Sequence, residues 1–109
     1  MTKVSSEKLV DMIQVQPGAV VSKTLLKKKQ GTVTLFAFDA DQGLSEHTAP
    51  FEALVYLLTG ELSLTIGGIA HKLNSGEMIV LPPQVPHALE AVTAVKFLLI
   101  MIRDSSESK

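Results

Sequence analysis

Between Val20 and Ile102 glycine, proline and short polar turns cut the chain into apolar runs of strand length. Val20–Leu26 and Thr32–Asp39 flank a Lys-rich tip, and Ala53–Leu58 ends at Thr59-Gly60. Glu61–Ile66 reads E-L-S-L-T-I, an unbroken period-two alternation, and Gly67-Gly68 turns it back into Ile69–Leu73 as a tight hairpin. Asn74-Ser75-Gly76 leads into Met78–Leu81, after which Pro82-Pro83 breaks the ladder because neither residue has an N–H to donate. Ala88–Ala91 and Val95–Ile102 complete the series. No helical segment of adequate length separates these runs, which disfavours a parallel βαβ architecture and predicts an all-β barrel or sandwich. The one helix signal lies near the start. Ser5 or Ser6 is placed to cap a short helix with Leu9, Met12 and Ile13 on one face, ended by Pro17-Gly18.

A length of 109 residues suits one domain. Residues 1–109 are read as a single unit with a core over about 17–103, a peripheral N-terminal segment 1–16 and a polar tail 104–109 that frays. The 46% hydrophobic content excludes a disordered chain. The absence of cysteine excludes disulfides, thiolate zinc sites and a cysteine nucleophile. Ten basic against eleven acidic side chains give a net charge of −1, which leaves no electrostatic footprint for nucleic acid or an acidic membrane. Lys27-Lys28-Lys29 reads as a solvated hairpin tip. The opening MTKVSSEKL contains no apolar run followed by a small-residue cleavage site, so a secretory signal is not expected, and no apolar run approaches the roughly 20 residues a membrane helix needs. A cytoplasmic location is the expectation.

The stretch from Gly43 to His87 resembles the two-motif signature of the cupin superfamily. Gly76, Pro82 and His87 stand at the spacing of the second motif, with Gln84 where a second glycine is usual. Counting back from Gly60, the first-motif positions are occupied by His47, Ala49 and Ala53. The resemblance implies a double-stranded β-helix, or jelly-roll barrel, with its pocket in the barrel mouth. It also implies that His47 and His87 face each other across that barrel, while the two remaining ligand positions are alanine.

Imidazole is the commonest transition-metal ligand, and two converging rings suit a divalent Zn, Ni, Fe, Mn or Cu ion. Metal centres normally draw at least three protein ligands. Glu52 is the candidate third ligand, provided that a bulge near Pro50 re-aims it; Glu46 points opposite to His47. Strand alternation puts residues 47 and 49 on one face. Without a metal, His47 or His87 could act as the catalytic acid or base. Tyr56, the only tyrosine, has the parity of the outer face. Alternatively, both rings hydrogen-bond locally and serve no chemistry. His71, beside Lys72, is read as a surface residue.

Lys96 must keep its amine in water. Phe97, Leu99 and Met101 then face inward, with Val55, Leu57 and Leu89, and with Ala49 and Ala53 at the motif positions. The expected pocket is apolar with two imidazoles as its polar feature, and Arg103 is read only as lying near the C-terminal end. It suits a small, weakly charged or aromatic molecule. Leu98, Ile100 and Ile102 form an apolar outer face, which predicts a homodimer through that face and Val20–Leu26. The leading reading is a small-molecule binder with a loosely held metal. A metal-dependent dioxygenase or isomerase completed by Glu52 or water, and a non-catalytic structural or sensory barrel, stand beside it.

Overall fold

The computed structural model describes residues 4–103. Nine strands follow one another: β1 (Val20–Lys28), β2 (Gly31–Phe38), β3 (Gly43–His47), β4 (Glu52–Thr59), β5 (Glu61–Ile66), β6 (Ile69–Asn74), β7 (Met78–Leu81), β8 (His87–Ala91) and β9 (Val95–Ile102). They form two antiparallel sheets, one in the order β1-β2-β9-β4-β7 and one in the order β3-β8-β5-β6. This is the expected all-β jelly-roll barrel. Among the described residues no helix is long and apolar enough to cross a membrane.

The two inner faces share one core, because period-two alternation sends every second side chain of each sheet toward the other. Val55, Leu57, Val95 and Phe97 come from the first sheet and Leu62, Leu64 and Ala91 from the second, all buried. At its centre Phe97 stacks on Phe36, with centroids 5.1 Å apart and planes 17° apart, and meets Phe38 edge-on at 5.1 Å. Both geometries are favourable for rings with a negative face and a positive edge.

Turn chemistry fixes the hairpins. Gly67 and Gly68 both have positive φ, at 57° and 82°, as the tight β5–β6 turn requires. Gly60, at φ 92°, joins β4 to β5 where an added Cβ would collide with the Ala94 carbonyl oxygen. The Lys-rich tip is the β1–β2 turn, with β1 running on through Lys28 to pair with Gly31.

The N-terminal segment differs from the expected helix. A single 3-10 turn spans Leu9–Asp11, its preceding residue is Lys8, and no side chain caps it. Ser5 and Ser6 therefore do not act as caps. So few residues before Pro17 cannot offset the cost of helix nucleation. Burial on the outer face of the first sheet holds the segment instead. Ile13 buries against Leu35 and Ala37, with Met12 and Val15 beside it. Lys96 donates from Nζ to the Val10 carbonyl at 2.6 Å, so its amine is held by this segment. The expectation for the polar tail 104–109 lies outside the described residues.

Candidate functional site

β3 and β8 carry the two histidines to one point. His87 opens β8 directly after Pro86, and the register sets it opposite His47 at the end of β3. A bulge makes this possible. Leu44 pairs with Leu89 and His47 with His87, so three steps along β3 span two along β8. Leu44 and His47 have opposite parity, yet both line the same cavity. The extra residue reverses alternation between them and re-aims the imidazole inward. The bulge thus lies between Leu44 and His47, ahead of Pro50. β3 ends at His47, and Ala49 reaches the cavity from the irregular segment that follows, so shared strand alternation is not what brings residues 47 and 49 together.

The hydrogen bonds define how the rings are used. His47 Nδ1 lies 2.8 Å from the Ser45 carbonyl oxygen, and His87 Nδ1 lies 3.2 Å from that of Val85. A carbonyl oxygen only accepts, so both Nδ1 atoms carry their protons and donate. The two Nε2 atoms face each other at 3.1 Å. In neutral rings both present lone pairs, and that arrangement calls for a cation between them or a proton on one. The span is what two nitrogens held at about 2.0–2.1 Å from one ion subtend at roughly a right angle. Donation of the distal N–H to a backbone oxygen is the usual support of a metal-binding histidine. The pair supplies two nitrogen donors of the kind that bind a divalent metal, one short of the three protein ligands such a centre normally draws. Among the described residues no group of three or more His, Cys, Asp or Glu side chains gathers. Glu52 is exposed on β4 and lies outside the cavity lining, and Glu46 is exposed within the bulge.

The cavity at the open end has a volume of about 210 Å³. Its walls are Phe97, Leu99 and Met101 of β9, with Ala53 of β4, Leu81 of β7 and, from the other sheet, Leu89 of β8. Val55 and Leu57 are wholly buried in the core and do not line it. Leu44, Phe51 and Leu81 line it without having been expected to. Ala49 and Ala53 border the space beside the imidazoles, so the two alanine positions of the first motif contribute room in place of ligands. Tyr56 is paired with Met78 and Leu98, away from the cavity, and His71 is exposed on β6.

Burial depresses the basicity of His87, and the neighbouring His47 adds to the effect, against the raising influence of the Val85 carbonyl. The folded chain therefore prefers neutral His87, while the unfolded chain takes up a proton near the ordinary value of 6.5. This contribution to stability is full above pH 6.5 and is lost as pH falls through the lower folded value. Melting temperature is expected to fall from pH 7.5 to pH 5, with a smaller fall in His87→Gln. Parallel thermal melts check this; equal slopes would contradict it.

The cupin-domain family model matches residues 34–102. A conserved protein of unknown function from Streptococcus pyogenes superposes with TM-score 0.90 at 28% identity, over 96% of this chain and 92% of that one. A cupin superfamily protein from Desulfitobacterium hafniense gives TM-score 0.88 at 22% identity, over 95% of each chain. A cupin 2 conserved barrel domain protein from Leptotrichia buccalis gives 0.83 at 35% identity, over 86% of this chain and 46% of that one. No curated protein matches the chain at a significant level.

Proposed function

Because this chain belongs to the cupin-domain family, we propose that it is a barrel that binds a small apolar molecule beside a divalent metal held by His47 and His87. The observation that carries the reading is the approach of two Nε2 atoms to 3.1 Å at the polar end of an apolar cavity. Ser45 and Val85 orient the rings, and the cavity walls exclude water from a ligand's apolar body. A bound metal supplies Lewis-acid polarisation of a ligand oxygen. With two protein ligands the remaining coordination positions go to water or to that oxygen, so the ion exchanges readily. Titration of Ni²⁺ and Zn²⁺ into untagged, chelator-stripped protein tests the reading. One equivalent bound is the expected result. No binding of either ion would leave the filled, non-catalytic barrel as the better account.

The proposal extends to a homodimer. On the outer face of the first sheet, Leu26, Val33, Ile100, Leu54 and Val80 stand in one row across all its strands. Leu26 is 60% and Val80 41% exposed, a costly face to leave in water. The adjoining row runs Lys28, Gly31, Ile102, Glu52. A two-fold axis along β9 would lay β1 of one copy over β7 of the other and bring Lys28 toward the Glu52 side, where the charges are opposite. Light scattering is expected to give twice the chain mass, and Ile100→Glu the monomer. A wild-type monomer at micromolar concentration would end this part of the proposal.

A further inference from the structure

Arg103 stands beside one wall of the cavity without itself lining it. On β9 the residues Phe97, Leu99 and Met101 line the cavity, and Arg103 is the next position of the same parity. It follows the last residue of β9, and its N–H donates to the Gln30 carbonyl at 2.7 Å, one step beyond the Gly31–Ile102 pair. Its guanidinium carbon lies 4.8 Å from the centroid of the Phe51 ring, and Phe51 is itself a wall of the cavity. Stacking occupies the face of a guanidinium and leaves the N–H groups at its edge free to form a fork. Among the described residues no carboxylate lies within ion-pair distance of it; the ion pair found there joins Lys72 to Glu61.

We infer that the cavity takes a small monocarboxylate, with its carboxylate on the Arg103 fork and its apolar body against Leu99 and Met101. The inference rests on the cavity being the binding site and names the chemical class of its ligand. Size follows from volume. An apolar cavity of about 150 Å³ accepts benzene, so about 210 Å³ holds one ring or branched chain with a small substituent. Charge follows from the walls. One guanidinium matches one carboxylate in bidentate geometry, whereas a doubly charged phosphate would leave a charge unmatched beside apolar walls.

Calorimetric titration with benzoate and its neutral counterpart benzamide, in chelator so that no metal–carboxylate bond contributes, tests the inference. Benzoate is expected to bind about 10-fold or more tightly than benzamide, as charge-assisted pairing implies. Arg103→Met is expected to erase that preference by weakening benzoate far more than benzamide, whose neutral carbonyl accepts a weaker bond, and an unchanged melting temperature shows that the variant is folded. Equal binding of the two probes, or a benzoate preference that survives Arg103→Met, would overturn the carboxylate assignment and leave the cavity reading intact. Failure of both probes to bind would overturn the two together.

Discussion

His47→Ala and His87→Ala are each expected to lower the affinity for Ni²⁺ or Zn²⁺ by about 100-fold or more. Removing a partner that merely orients a ligand costs about 10–100-fold, so removing a ligand costs at least as much. On the proposed reading the loss is sharper, because the Nε2 pair would be the whole protein contribution among the described residues and a single imidazole would leave nothing to hold the ion in place. The two variants should lose metal alike while differing in stability. His47 is exposed, and its truncation removes one bond to the Ser45 carbonyl. His87 is 8% exposed, and its truncation opens the cavity wall, so the melting temperature should fall further. Metal retained at wild-type stoichiometry in either variant would show that the pair is not the ligand set.

How much of this was legible in the sequence depends on how each residue is constrained. β5, β7 and β9 were read at the bounds they have, Glu61–Ile66, Met78–Leu81 and Val95–Ile102. Their alternation serves one buried face, or their ends meet glycine or proline. β3 left no such trace. Of Gly43–His47 only Leu44 and His47 line the cavity, and the segment carries no run of alternating apolar residues. The bulge that aims His47 has no compositional signature, so the sequence motif located the histidine while alternation misassigned the reason. Leu81 lines the cavity through the pairing of β7 with β4, which are not consecutive in the chain, and no local pattern reports such a pairing. Arg103 had a signal in the parity of Phe97, Leu99 and Met101. Its meaning depended on Phe51, a ring on an irregular segment that alternation cannot place.

Gln84 carries a related lesson. It stands where a glycine is usual and keeps the glycine conformation, with φ at 63°. Its N–H donates to the Ala49 carbonyl at 2.8 Å, tying the loop before β8 to the segment after β3. A non-glycine residue there costs about 1–2 kcal/mol, set against the smaller unfolded-state entropy of glutamine relative to glycine. The geometry that sets His87 opposite His47 is therefore kept by the surrounding backbone despite the local strain. Alternation and turn chemistry specified the frame, and the pieces that aim the imidazoles depart from both.

Phe97→Ala is expected to lower stability by about 3–5 kcal/mol, the range for deleting a buried aromatic ring. Phe97 has no exposed surface, stacks on Phe36, meets Phe38 edge-on, and forms part of the cavity wall. Strands on both sides fix its position, with Phe36 of β2 and Leu57 of β4 as its cross-strand partners. Close collapse around the deletion would require both ladders to shift. The void left by the ring would also join the existing cavity instead of being filled. Against a total stability of about 5–15 kcal/mol this is a large fraction, and at about 4–8 °C per kcal/mol for a small domain the melting temperature should drop by at least about 12 °C. Leu99→Ala is the control. Leu99 is half-buried and already faces open volume, so fewer contacts are lost and the fall should be smaller. Thermal melts of the two variants give the ordering directly, and a drop in Phe97→Ala no larger than that in Leu99→Ala would mean that the aromatic cluster is not the centre of the core.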